Sequence, residues 1–357
     1  MLTDACNALR ASLANKGEFN MERITLPEGY TSLLSIYETQ KAIGLLKRLF
    51  EDELSGALRL HRVSAPLFVA ASSGLNDDLN GVERPVAFDI NGVNGTAQVV
   101  HSLAKWKRLA LKRYQFQPGE GLYTDMNAIR RDEDLDGLHS AYVDQWDWEK
   151  VITAEQRNVE FLKQTVQKIV DSLCDTQRFL HSVFPQLSVL PKLTNEVAFI
   201  TSQELEDLYP DLTGKERENT FVKEHPVTFL IGIGGKLASG KPHDGRAPDY
   251  DDWSLNGDLL VWDSVGGRAM ELSSMGIRVD PEALDRQLTI AGCDNRRELP
   301  FHKLLLNGEL PLTMGGGIGQ SRVSMLLLGK AHIGEVQCSL WTDEIMSDCE
   351  KQGVILL

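Results

Sequence analysis

Nowhere does this 357-residue chain approach the roughly 20 consecutive apolar residues that a membrane helix needs. Runs such as Val227–Ile231 are short, so no membrane partner is expected. The first residues, Met1-Leu-Thr-Asp-Ala-Cys6, lack a basic start followed by an apolar core, and no secretory leader is expected. Cysteine is sparse. Its five positions (Cys6, Cys174, Cys293, Cys338 and Cys349) are odd in number, scattered and never in a Cys-x-x-Cys pair. That pattern argues against a disulfide framework or a zinc site and for a reducing, cytoplasmic setting. Positive charge is also in deficit: 37 basic against 51 acidic residues leave a net charge of −14. Phosphate-backbone binding draws on clustered Lys and Arg, so no nucleic-acid partner is expected. Repeats, low-complexity tracts and Pro/Ser-rich linkers are missing too. The expected organisation is therefore a weakly patterned extension, residues 1–30, followed by one domain, residues 31–357.

What is present is ordinary globular composition, 42% hydrophobic and 25% charged. Residues 33–55 carry Leu33, Ile36, Ile43, Leu46, Leu49 and Phe50 at helical spacing. A second helix is expected after Ser102. A third is expected from Thr153, where Gln156 completes a capping box, through Val159, Leu162, Val166, Ile169 and Leu173. Val86, Phe88 and Ile90 alternate as in a strand, and Val197–Thr201, Val227–Ile231 and Leu259–Trp262 also read as strands. Gly266-Gly267 then makes a hairpin turn into Ala269–Leu272. Asp280-Pro281 opens a helix ending near Gly292, and Ser321–Leu328 reads as another after a glycine run. Strands grouped by turns, rather than alternating with helices, predict an α+β fold with a mainly antiparallel sheet flanked by helices.

Common nucleotide motifs fail. Gly232-Ile-Gly-Gly-Lys236 is followed by Leu237 where a phosphate loop needs Ser or Thr, and Gly315–Gln320 ends on Gln320 where a dinucleotide fingerprint needs Gly. Neither His-Glu-x-x-His nor Gly-x-Ser-x-Gly occurs, and His101 and His139 read as structural. Polar clusters remain at Asp77-Asp78, His101–Arg108, Arg130–Asp134, Asp144–Glu149, Arg246–Asp252, Asp258, Glu271–Ser274, Arg278 and Gly315–Arg322. In Val143–Trp148, alternation places Asp144, Trp146 and Trp148 on one strand face and Gln145 and Asp147 on the other. An inward Gln145–Asp147 pair suits an amino group; an edge strand with one polar face explains the pattern equally well. The glycines before Arg322 permit close backbone approach to a flat ligand, and Arg322 in a first helical turn suits phosphate. Asp258 and Glu271 flank the hairpin and can converge on Mg²⁺, which prefers oxygen ligands. Arg130, Arg246, Arg278 and Arg322 in an acidic chain suggest a local positive pocket for an anionic substrate and a polyphosphate. These features point to an ATP- and Mg²⁺-dependent enzyme acting on a carboxylate.

At these same segments the sequence resembles the asparagine synthetase A family of ammonia-dependent aspartate–ammonia ligases. The resemblance rests on Val99–Arg108, Gly119–Thr124, Tyr142–Glu149, Arg246–Trp253, Glu271–Asp280 and Gly315–Arg322. It implies a class II aminoacyl-tRNA synthetase-like catalytic core, assembled as a homodimer, in which Arg130 and Gly317–Arg322 fall in the second and third class-defining motifs. By position it assigns Arg130 to the α-phosphate and Arg322 to the triphosphate beside adenine, with Ser140, Gly317 and Gly319 lining the ATP site. Arg246 and Asp251 fall around nucleotide and amino acid, and Asp258 and Glu271 at Mg²⁺. Ser102, Lys107, Gln145, Asp147, Ser273, Ser274 and Arg278 surround aspartate, and Asp77 stands near the incoming ammonia. The implied reaction makes L-asparagine, AMP and pyrophosphate through a β-aspartyl-AMP intermediate. Two departures stand out: residues 1–30 extend beyond the bacterial enzyme of the family, and the chain is shorter between Ser254 and Asp258. Glutamine-dependent synthetases use a cysteine exposed after Met1, where this chain has Leu2, which favours free ammonia. The rival expectation is a tRNA-linked synthetase paralogue; the net charge opposes it, and the motifs leave no room for an anticodon-reading module.

Overall fold

A computed structural model describes residues 26–76 and 83–357. Asp77 and Asp78 lie outside the described residues, as do most of the expected extension and Cys6. Eleven strands are seen among them: β1 (Leu60–Arg62), β2 (Phe68–Ala70), β3 (Ala87–Phe88), β4 (Ala97–Val99), β5 (Gly121–Ile129), β6 (Tyr142–Val151), β7 (Ala198–Thr201), β8 (Val227–Ile231), β9 (Asp251–Asp263), β10 (Arg268–Arg278) and β11 (Thr313–Gly319). The helices are α1 (Ile36–Leu58), α2 (Ala104–Arg113), α3 (Val159–Val183), α4 (Ser202–Leu208), α5 (Gly214–Glu224), α6 (Pro281–Ile290), α7 (Pro300–Leu306), α8 (Gln320–Leu327) and α9 (Asp343–Lys351).

Eight strands form one sheet in the order β1-β5-β6-β11-β10-β9-β8-β7, and β2, β4 and β3 form a small second sheet. Every pairing in the large sheet is antiparallel except β1 with β5 and β7 with β8 at its two edges. The expected α+β class is what the chain adopts. One face of the sheet is covered by α1 and α3, whose apolar stripes (Leu46, Phe50 and Leu54; Leu162, Val166, Ile169 and Leu173) meet Trp146 and Trp148. The Phe50 and Trp146 rings sit 4.7 Å apart, and both tryptophans are fully buried. The pleat therefore turns Gln145 and Asp147 to the opposite face, where a cavity opens.

Two expectations need correcting, and one segment without an expected element gains one. The Thr153–Gln156 capping box closes a 3₁₀ turn over Ala154–Gln156. The long helix starts only at Val159, where the Asn158 side chain accepts from Phe161 N; two capping signals in a row made the first look like the helix start. β9 is far longer than Leu259–Trp262, because Asp251, Asp252 and Asp258 interrupt its apolar pattern while pairing with Arg278, Arg157 and Arg246 from neighbouring segments. It also runs unbroken through Ser254–Asp258, the segment expected to be shortened. The glycine run, given no element by its pattern, is a central strand, Thr313–Gly319, between β6 and β10.

Candidate active site

The cavity above this face holds about 460 Å³ and gathers the pocket-facing ends of β6, β10 and β11 with α2, α8 and the loop before β9. Its lining includes Ser102, Lys107, Arg130, Ser140, Gln145, Asp147, Arg246, Asp251, Glu271, Ser274, Arg278, Gly317, Gly319 and Arg322. All four candidate arginines thus meet in one cavity. Of the expected residues that are described, two do not line it. Ser273 alternates away from Ser274 and is buried, its hydroxyl without a hydrogen-bond partner. Asp258 lies just behind the wall, paired to the lining residue Arg246.

One end of the cavity is a lattice of buried charge. Lys107 on α2 pairs with Asp147 on β6 and donates to Trp148 O at 2.9 Å and Gly316 O at 3.3 Å. Burial pushes the Asp147 carboxyl up and the Lys107 ammonium down, so each depends on the other for its charge. Arg278 sits between two carboxylates, donating Nη1 to Asp251 Oδ1 at 2.6 Å and Nη2 to Glu149 Oε2 at 3.1 Å. Burial opposes its charge, but Asp251 and Glu149 outweigh that and raise its pKa. Glu149 also accepts from Thr313 Oγ1 at 2.8 Å. Gln145, Asp147 and Glu149 share one face of β6 at period two, so the alternation that singles out the first two reaches Glu149 as well. The glycines Gly315 and Gly317 also make room for these side chains. A Cβ at Gly317 would fall 2.2 Å from Gln145 Oε1, and one at Gly315 would fall 2.7 Å from Arg278 Nη2.

The other end is more open. Arg322, in the first turn of α8, donates to Glu271 O at 2.9 Å, with its Glu271 Oε2 neighbour at 3.7 Å. Arg130 reaches Glu133 at 3.7 Å, and Ser140 Oγ donates to Ser339 Oγ at 2.7 Å. Asp258 on β9 pairs with Arg246 through one oxygen, while its Oδ1 is buried without a partner. Burial, with the Glu271 charge adding to it, pushes the Asp258 carboxyl up to about 7 despite Arg246. Burial also acts against Glu271, but Arg322 and Arg246 hold its carboxyl below the usual range. An orphaned carboxylate oxygen beside a second carboxylate suits a cation, although no cluster of three or more His, Cys, Asp or Glu occurs among the described residues.

Asn76, the residue before Asp77, is pinned beside Ser102. It accepts His101 N at 2.8 Å on its side chain and Lys105 Nζ at 3.1 Å on its carbonyl.

The family model for aspartate–ammonia ligase matches residues 37–353. The chain belongs to the aspartate–ammonia ligase family. A relative from Clostridium perfringens with that name is 60% identical over 338 residues, covering 94% of this chain and 100% of its own. One from Lactobacillus johnsonii is 56% identical over 336 residues, covering 94% and 99%. Among solved structures, the asparaginyl-tRNA synthetase of Entamoeba histolytica matches with a TM-score of 0.62 at 14% identity, covering 85% of this chain and 69% of that one. Asparaginyl-tRNA synthetase from Pyrococcus horikoshii, complexed with asparaginyl-adenylate, gives 0.59 at 15%, covering 86% and 70%. The family's fold is thus that of the class II aminoacyl-tRNA synthetases.

Proposed function

We propose that the protein makes L-asparagine from L-aspartate and ammonia, activating the β-carboxylate with ATP as β-aspartyl-AMP and releasing AMP and pyrophosphate. The observation that carries this reading is the single cavity in which Lys107, Asp147 and Arg278 stand at one end and Arg130, Arg246 and Arg322 at the other. The relatives' name supplies the substrates, and the adenylate in the Pyrococcus horikoshii synthetase supplies the type of intermediate.

A carboxylate is a poor acyl donor because its leaving group would be oxide. Arg278 pairs with the α-carboxylate of aspartate and Asp147 with its α-ammonium, alongside Ser102, Lys107, Gln145 and Ser274, which leaves the β-carboxylate facing the phosphates. Arg130 takes the α-phosphate, and Arg322, beside the base, the outer phosphates. Together they offset charge that builds as the β-carboxylate oxygen attacks the α-phosphorus and pyrophosphate departs, an electrostatic contribution that is usually the largest in such chemistry. Asp258 and Glu271 would hold Mg²⁺, which supplies charge neutralisation for a polyphosphate. Asp77 binds ammonium and takes its proton, freeing ammonia to attack the acyl carbon and expel AMP; such base catalysis contributes about 10²–10⁴-fold. We place this enzyme in the cytoplasm as a homodimer, on the family resemblance and on the free thiols of Cys174, Cys293, Cys338 and Cys349.

Asp77→Asn tests the division of labour. It should keep aspartate-dependent ATP–pyrophosphate exchange and lose ammonia-dependent product. Equal loss of both would move Asp77 to the activation step.

A further inference from the structure

Asp144 alternates with Gln145 along β6 yet also borders the cavity with Ser321 and Gln337, and the proposed chemistry gives it no task. Its carboxylate is nevertheless the meeting point of four donors. Oδ1 accepts Ser321 N at 3.1 Å, Ser321 Oγ at 2.6 Å and Gln337 Nε2 at 3.2 Å, and Oδ2 accepts Lys47 Nζ at 2.9 Å. Asp144 is 6% exposed. Gln337 closes the ring by donating to Ser321 Oγ at 2.9 Å.

The position of this carboxylate is what gives it meaning. Ser321 is the second residue of α8, and the residue that should cap that helix, Gly319, has no side chain to do so. Asp144 therefore caps α8 from another element. It satisfies a backbone donor of the first turn and places negative charge at the positive end of the helix. Arg322 is the next residue along. Capping from β6 ties the Arg322 turn to the strand that carries Gln145 and Asp147. Lys47, from α1, offsets the buried charge.

We infer that Asp144 is a positioning residue that holds the first turn of α8, and through it Arg322, in register with the aspartate-binding strand; Lys47 supports it. This rests on the reading that Arg322 binds the phosphates of ATP. Because Asp144 acts on the α8 side, its loss should fall on ATP and spare aspartate.

Four variants of the full chain test it: Asp144→Ala, Asp144→Asn, Arg322→Ala and the Asp144→Ala/Arg322→Ala pair, each assayed for KM of ATP, KM of aspartate and Tm. Asp144→Ala should raise the ATP KM about tenfold or more with the aspartate KM within twofold. Asp144→Asn keeps an acceptor for Ser321 N and should recover most of that loss. In the pair, Asp144→Ala should add nothing further to the ATP KM, since both changes act on one group. If Arg322→Ala raises the ATP KM while Asp144→Ala leaves it unchanged, or raises both KM values alike, the inference is overturned and the functional reading stands. Additive effects in the pair also overturn it. An ATP KM indifferent to Arg322→Ala overturns the phosphate assignment of Arg322 and this inference with it.

Discussion

The two ends of the cavity solve opposite problems. Around Lys107–Asp147 and Glu149–Arg278–Asp251, every formal charge has a partner and each of these five side chains is nearly or wholly buried. Around Arg130, Arg322 and Glu271, the side chains are 22–36% exposed, and their ion pairs, at 3.7 Å, are looser. A small zwitterion can be read only by groups that do not move, since a displaced buried charge is costly. A polyphosphate instead brings its own charge, and arginines that are only lightly engaged are free to meet it. The comparison teaches that one end is fixed by packing and close ion pairs while the other keeps two arginines loosely engaged. On the proposed function, the first selects the amino acid and the second receives the nucleotide.

The sharpest way to break that contrast is Lys107→Met. It strands the Asp147 carboxylate in a site where burial already raises its pKa. We expect a stability loss of about 3–5 kcal/mol by chemical denaturation, as for other broken buried pairs, and no measurable turnover. A loss as small as that of an exposed ion pair would contradict the packed-end description. Next comes Arg278→Lys, which keeps charge but cannot span Glu149 and Asp251 together. Losing one charged hydrogen bond costs about 1.5–3 kcal/mol, so kcat/KM for aspartate should fall roughly 10–100-fold while the ATP KM stays within a few-fold.

At the open end the expected effect is smaller and depends on pH. The Asp258 carboxyl is pushed up to about 7 by burial and by Glu271. A folded state that holds a proton more tightly than the unfolded chain loses stability as pH rises between the two pKa values. Without divalent cation, the contribution of Asp258 should therefore fall from about pH 4 to 7, and wild-type Tm should decline more over that range than Tm of Asp258→Asn. Parallel curves would remove Asp258 as the titrating group. Smallest of all is Ser273→Ala. Its hydroxyl is buried and unpartnered, so we expect turnover within twofold and stability neutral or raised by up to about 1 kcal/mol. A marked rise in aspartate KM would restore Ser273 to the substrate site.

Much of this architecture was legible locally. The alternation of Val143–Trp148 set the two faces of β6, and Asp280-Pro281 started α6 where the structure starts it. The hairpin at Gly266-Gly267 is there, with Gly267 at φ +65°. What local pattern could not carry was pairing across distance. Asp144 looks like one more residue on a tryptophan face until Ser321, Gln337 and Lys47 arrive from remote parts of the chain. Glu149 looks like a strand-end charge until Arg278 and Thr313 close on it. The glycines of β11 mark no element by composition; only their neighbours on β6 and β10 show why side chains are excluded there. A shared pocket for the four arginines was expected from charge and chemistry and their separate roles from the family resemblance, and the fold brings all four to one cavity.

The central claim is that an oxygen of the aspartate side chain attacks the α-phosphorus of ATP. Aspartate labelled with ¹⁸O in its β-carboxylate, turned over with ATP and ammonium, tests it directly by mass spectrometry of the products. One ¹⁸O per turnover should appear in AMP, with unlabelled pyrophosphate. Label in inorganic phosphate alongside ADP, or in no phosphorus product, would contradict the account.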